Sequence, residues 1–255
     1  MLIAGLLVFA AVFTGCKQPN NDKTGSTTAS KQTADQAETR PLTSHATPDD
    51  VHWFDDAVFL GDSITNMLNL HCANDPDALG KAKFICAPSL GFTNAQWDLN
   101  QKGNVHPSYR GKTVLAENCA KVTGANKVFI MLGMNDIGIY GTDGAMDACK
   151  TLVEKIQKNS PGVTIYMQSV TPKLTTHEDE VIYNELIRDF DAKLEAYCKK
   201  NNFKYLDIYH LVCDENGALR PEFCGDPEPR ADGGMGMHFT HQACEKWIDY
   251  LKHNV

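Results

Sequence analysis

In the stretch AVFLGDSITNML, residues 57–68, a short apolar run stops at Gly61-Asp62-Ser63 and an amphipathic pattern begins at once. A serine at such a junction can cap the following helix or present a nucleophilic hydroxyl. A hydroxyl is a weak nucleophile and needs a base within hydrogen-bond reach, so the local pattern alone favours the cap. Three further polar groups stand at comparable places: Gly91 in APSLGFTN, Gly133-Met134-Asn135-Asp136 in MLGMNDIG, and His238 in MGMHFT. The first two each follow an apolar run, and His238 precedes the last amphipathic segment. A serine with a histidine as its base is the equipment of acyl transfer, provided the chain brings the two together.

The elements that would do so are legible from periodicity. AVFL (57–60), KFICA (83–87), KVFIML (127–132), TIYMQSV (164–170) and KYLDIY (204–209) are short apolar runs that read as five strands. Between them, apolar residues recur at helical spacing: Ile64, Met67 and Leu68; Met146, Cys149, Leu152, Val153 and Ile156; Ile182, Leu186, Phe190, Leu194 and Tyr197. Thr240 opens a last helix carrying Cys244, Trp247, Ile248 and Leu251. Strands alternating with helices imply an α/β fold: a five-stranded parallel sheet covered on both faces by right-handed crossovers, a three-layer α/β/α sandwich of flavodoxin-like type. In such sheets reactive groups gather beyond the carboxyl ends of the strands, where Ser63, Gly91 and Asn135 fall. Two connections exceed what a crossover needs. Residues 98–126 are expected to hold a helix near Val114–Val122, and residues 210–239, rich in Pro and Gly, an irregular loop.

The order of these blocks resembles the SGNH (GDSL-like) hydrolase family, named for Ser, Gly, Asn and His in four separated blocks. Ser63 in FLGDSIT matches the nucleophile block, Gly91 in APSLGFTN the glycine block, Asn135 in MLGMNDIG the asparagine block and His238 in MGMHFT the histidine block. The resemblance runs over essentially all of residues 51–255 and implies ester hydrolysis through a covalent acyl-enzyme. His238 is then the base. The backbone N–H groups of Ser63 and Gly91 and the side-chain amide of Asn135 form an oxyanion hole, with the missing Cβ of Gly91 letting a substrate oxygen approach the main chain.

The family usually places an Asp three residues before the histidine, and here that position is Met235. An excursion containing Gly233, Gly234 and Gly236 can return Asp232 to His238, which makes Asp232 the first choice. Asp226, in a loop shaped by Cys224 and Pro227, is the second, and a Ser-His dyad oriented by a backbone carbonyl the third. Asp62 and Asp136 are read as holding loops together. Met134, Met235 and Met237 are candidates for an adaptable acyl pocket, and Met131, inside a strand, for the core.

The 255 residues, 42% hydrophobic and 22% charged, suffice for one domain of about 200 residues with a non-globular remainder. The formal charge of −8, with no Lys/Arg cluster, argues against a nucleic-acid partner. Residues 1–15, MLIAGLLVFAAVFTG, carry no charge but fall short of the roughly 20 apolar residues a spanning helix needs. They read as the apolar part of a signal peptide, and VFTGC resembles a bacterial lipobox, whose cysteine, Cys16, is lipidated. Residues 17–50 lack large apolar side chains and read as a disordered tether to a domain spanning 51–255. The expected location is extracytoplasmic, on the bacterial cell membrane. Eight cysteines remain after Cys16, either disulfide-bonded, with Cys213–Cys224 the first pair to test, or buried thiols. There is no Cys-x-x-Cys, and His238-x-x-His241 lacks the Glu of a zinc-protease helix, so no metal and no cofactor are expected.

The expected activity is cleavage of a small acyl ester, an O-acetyl group on a glycan above all. A lysophospholipase or thioesterase is the alternative within the family. Two non-enzymatic readings stand beside it: a silent glycan-binding module, favoured by the displaced acid, and a phosphate-binding flavodoxin-like domain, which leaves Asn135 and His238 unexplained.

Overall fold

The computed structural model describes residues 51–255 apart from position 76. The signal peptide, Cys16 and the tether expected over residues 1–50 lie outside the described residues.

Five parallel strands form the sheet: β1 (Ala57–Gly61), β2 (Lys83–Cys86), β5 (Lys127–Met131), β6 (Thr164–Gln168) and β7 (Lys204–Leu206), in the order β2-β1-β5-β6-β7. A two-residue hairpin, β3 (Ser108–Tyr109) and β4 (Lys112–Thr113), stands apart in the connection after β2. The helices are α1 (Ser63–Asn74), α2 (Cys119–Thr123), α3 (Met134–Asn159), α4 (Asn184–Asn201), α5 (Ile208–Val212) and α6 (His241–Asn254). α6 packs on α1 and α5, whereas α3 packs on α2 and α4, which completes the expected three layers.

The helix expected near Val114–Val122 is shorter than its pattern suggested: a 3-10 turn at Ala116–Asn118 runs into the single turn and a half of α2, ended by Gly124 in the left-handed conformation. α3 is broken at Gly141, whose φ of 67° and ψ of 172° are non-helical.

The strands bury both faces because helices cover both, and every residue of β1 is buried. On one face Phe84, Phe59, Phe129 and Tyr166 stand directly opposite one another across four strands. Their rings stack at centroid separations of 5.2, 4.6 and 4.4 Å. Such cross-strand aromatic pairs pin the register, and a slip by one residue would turn the whole row to the other face. Register matters to function here because it levels the ends of β1 and β5, with Gly61 opposite Met131. The strand order reverses between these two strands, so the crevice of an open sheet opens at their carboxyl ends.

Candidate active site

Ser63 is the first residue of α1, and the cap of that helix is its neighbour. Asp62 Oδ1 accepts the Ile64 N–H at 2.9 Å, which is the bond an N-cap makes. The serine hydroxyl is therefore released from capping. It lies 2.9 Å from His238 Nε2.

His238 comes from the far end of the chain, just before α6, where Thr240 is the N-cap and accepts the Ala243 N–H at 3.3 Å. An antiparallel pairing brings in its partner: Gly225 donates to His238 O at 2.7 Å, Thr240 donates to Phe223 O at 3.0 Å, and Cys224 bridges Phe239. This pairing sets Asp226 beside the imidazole, with Oδ2 2.6 Å from His238 Nδ1. The same carboxylate accepts the backbone N–H groups of Met235, Met237 and His238, each at 3.0 Å, and the Cys224 thiol at 3.4 Å.

The acid beside the histidine is thus Asp226, not Asp232. Asp232 is exposed, in a 3-10 turn at Arg230–Asp232, and residues 227–237 form an excursion that leaves Asp226 and returns to it. The dyad alternative falls with it, since a carboxylate, rather than a main-chain carbonyl, meets the imidazole.

Burial pushes the Asp226 carboxyl upward, but the imidazole and backbone N–H of His238 and the N–H of Met235 outweigh it and hold it below the usual carboxylate range. An anionic Asp226 accepts a hydrogen bond from the Nδ1–H, which leaves Nε2 as the acceptor toward Ser63. His238 and Asp226 keep 27% and 19% of their side-chain surface exposed, so the pair is sheltered but reachable.

Asn135 lies in the first turn of α3, at the end of β5. Its Nδ2 donates to Leu90 O at 3.0 Å and to Asp62 Oδ2 at 3.2 Å, tying the α1 junction to the loop after β2. Asp136 fixes the same loop, accepting the N–H groups of Phe92 at 2.7 Å and Thr93 at 2.9 Å. Two bonds to a buried carboxylate are worth about 1.5–3 kcal/mol each, which is how a polar loop is held at a strand end. Desolvation raises the Asp136 carboxyl above its ordinary value, opposed by Thr93 and Phe92. It pushes fully buried Asp62 up to about 6, against the Ile64 N–H and the charge of His238.

Gly91 has a structural reason beside the chemical one expected of it. A Cβ there would lie 2.5 Å from Asp136 Oδ2, so the missing side chain makes room for the carboxylate that pins the loop. Its N–H donates to Asn94 Oδ1 at 2.8 Å, while Asn94 Nδ2 donates to Ser89 O at 2.8 Å. Ser89 has a φ of 62°, in the left-handed region uncommon for a residue with a side chain. Asn94, in the same block, is a site residue that the four-block pattern does not mark; its place three residues after Gly91 is that of a side chain reaching back to a turn's first N–H.

Of the methionines read as an acyl pocket, Met134 and Met237 are in the core with Met131, and Met235 is 38% exposed. Cys213 and Cys224 are not joined. All eight cysteines of the described residues are free thiols, and burial pushes Cys224 up to about 11.

With this geometry in place, comparison with known proteins gives the family. The GDSL-like lipase/acylhydrolase family profile matches residues 59–245, and the chain belongs to that family. Solved structures share the fold at low identity. A GDSL-like lipase from Bacteroides thetaiotaomicron is 17% identical, with 78% of this chain and 87% of that one covered and a TM-score of 0.57. A lipase/acylhydrolase from Enterococcus faecalis is 15% identical over 77% and 93%, with a TM-score of 0.53. The periplasmic domain of a lipopolysaccharide acetyltransferase from Salmonella ser. Paratyphi A is 18% identical over 78% and 82%, with a TM-score of 0.50. Among curated proteins none matches.

Proposed function

We propose that the protein is a serine esterase that cleaves small acyl esters through a covalent acyl-enzyme, with Ser63, His238 and Asp226 as its triad. The observation that carries this is the continuous chain Ser63 Oγ, His238 Nε2, His238 Nδ1, Asp226 Oδ2, linked at 2.9 and 2.6 Å. Ser63 Oγ attacks the ester carbonyl carbon as its proton passes to His238 Nε2, and Asp226 steadies the imidazolium. Collapse of the tetrahedral intermediate breaks the ester C–O bond, and His238 protonates the departing alcohol. Water, deprotonated by the same imidazole, then releases the acid.

The negative oxygen needs fixed donors. The Ser63 N–H, in the first turn of α1, has no acceptor within its helix. Gly91 N–H and Asn135 Nδ2 are the other two, and both rest on protein acceptors, Asn94 Oδ1 and the pair Leu90 O and Asp62 Oδ2. An entering carbonyl oxygen takes the Gly91 N–H over from Asn94 and shares the Asn135 amide.

An O-acetyl group on a carbohydrate is the favoured substrate, supported by the withdrawal of Met134 and Met237 into the core. A longer acyl chain is the second reading. Ile139 stands one helical turn beyond Asn135 on the same face of α3 and is 72% exposed, and Val181, packed at Gly138, is 53% exposed. Display on a lipid anchor at Cys16 belongs to the same proposal and is supported by the composition of residues 1–16. Fatty-acid labelling of the cell-surface protein that is lost in Cys16→Ala is the expected result, and labelling that persists would exclude that anchor.

A fluorophosphonate probe tests the chemistry. It should label the wild type at Ser63, and Ser63→Ala should lose both labelling and aryl acetate hydrolysis. A folded wild type that neither labels nor hydrolyses any aryl ester sinks the reading. Relative rates on acetyl, butyryl and octanoyl esters and on an acetylated glycan decide between the two substrate classes.

A further inference from the structure

The excursion 227–237 poses a mechanical problem. Asp226 is held by N–H groups of Met235, Met237 and His238, so the carboxylate is aimed by the returning end of the loop that leaves from it. A long, exposed, Pro- and Gly-containing loop does not keep such an arrangement by itself.

The brace comes from the segment after β6. Leu174 N–H donates to Gly236 O at 2.8 Å, and Asp179 pairs with Arg230. Between these two ties sits His177, which is 4% exposed. Its Nε2 lies 2.7 Å from Glu228 O and its Nδ1 lies 3.0 Å from Thr176 Oγ1. A carbonyl only accepts, so Nε2 carries the proton and Nδ1 receives the Thr176 hydroxyl. The ring also fills the hollow at Gly236, whose φ is +64°. A Cβ there would come within 2.4 Å of His177 Cγ, so glycine and imidazole occupy one space. Gly236 is flanked by Met235 and Met237, whose N–H groups face Asp226, and its own N–H donates to Asp226 O at 3.1 Å.

We propose that His177 is a positioning residue of the triad. By donating to Glu228 O and backing Gly236, it holds the outgoing and returning arms of the excursion together, which keeps three backbone donors on Asp226 and the carboxylate on His238. The inference rests on the reading of Ser63, His238 and Asp226 as catalytic. The hydrogen bonds of the His177 ring go to Thr176 and Glu228 rather than to these side chains, and on this account it does not meet the substrate. Its loss therefore lowers kcat and leaves KM in place.

The test compares three variants of the full chain on an aryl acetate, well below their melting temperatures. His177→Ala should lower kcat by about 10²-fold, the size of effect that follows when reacting groups are displaced by about 1 Å, with KM within about twofold. His177→Leu fills the hollow but donates nothing and should remain impaired. His177→Gln can still donate to Glu228 O and should recover most of the lost kcat. The His238 Nδ1 proton gives a second readout: its low-field NMR resonance should be sharp in the wild type and the Gln variant and shifted or broadened in the Leu variant. Should His177→Ala fail to fold, the Gln and Leu variants decide. Equal kcat in these two, or wild-type kcat with only a lowered melting temperature, overturns the proposal. Wild-type enzyme that labels normally at Ser63 confines such a failure to His177, whereas absence of labelling would remove the triad itself.

Discussion

Asp226→Asn separates an aligning acid from a merely nearby one, and its outcome follows from the contacts. Asp226 Oδ1 faces three donors, the N–H groups of Met237 and His238 and the Cys224 thiol, while Oδ2 faces two, Met235 N–H and His238 Nδ1. An asparagine keeps its oxygen where more backbone donors converge, which leaves its NH2 group against Met235 N–H and His238 Nδ1. The fold tolerates this, since one partly exposed N–H loses an acceptor at a cost of about 1 kcal/mol. The chemistry does not. An amide N–H pointing at Nδ1 makes that nitrogen an acceptor and moves the imidazole proton to Nε2, which then points a proton at Ser63 Oγ. The base is in the wrong tautomer, and the loss expected in kcat is about 10³- to 10⁴-fold, or about 4 to 5.5 kcal/mol. KM should change little. Asp232→Asn, at an exposed side chain, should stay within about twofold of wild type. The assay is aryl acetate hydrolysis with active-site titration by fluorophosphonate, so that misfolded protein is not counted. An Asp226→Asn enzyme within about threefold of wild-type kcat, or an Asp232→Asn enzyme that has lost activity, would refute the assignment.

Gly91→Ala brings a methyl group to 2.5 Å from Asp136 Oδ2, and should cost about 1–3 kcal/mol in unfolding free energy together with most of kcat. Denaturant melts and initial rates check it, and an alanine tolerated in both would show that the loop is not pinned there. Asn94→Asp sets a carboxylate on the Gly91 N–H, a stronger rival to an oxyanion than the amide, and kcat should fall by about 10²-fold. Unchanged kcat would remove Gly91 from the proposed oxyanion hole. Asp62, raised by burial from 3.8 to about 6, keeps a proton in the folded state that the unfolded chain has already released. Stability attributable to it therefore falls as pH rises from about 4 to 6, by up to about 3 kcal/mol, and is level above that window. Asp136 and Asp191 contribute slopes of the same sign and Asp55, Asp179, Asp189 and Asp226 slopes of the opposite sign, so the measurement is a difference: melting temperature against pH for wild type and Asp62→Asn. The variant should lose part of the fall, and parallel curves would contradict the assignment.

Much of this molecule is written locally. Apolar runs of strand length and helical spacings between them determine the sheet and its layers, because each element records in its own residues which faces it must bury. The same logic puts Ser63, Gly91 and Asn135 at strand ends and His238 just ahead of the last helix, and the family resemblance gathers the four into one site. What local pattern could not express is which distant group each of them meets. Asp62 and Ser63 are adjacent and both able to cap α1, and only the folded backbone shows the aspartate taking that bond and the serine left for His238. Asp232 is nearer to His238 along the chain, but the pairing of residues 223–225 with 238–240 carries Asp226 to the imidazole and turns the stretch between into a loop. His177 carries no sequence signal for its place, since its contact with Gly236 exists only after two loops meet. A residue's type and spacing declare what its own element needs, whereas the acid beside His238, the partners of Gly91 N–H and Asn135 Nδ2 and the proposed brace at His177 are contacts between loops. Those were decided by tertiary structure, because chain separation sets no limit on which loops the sheet brings side by side.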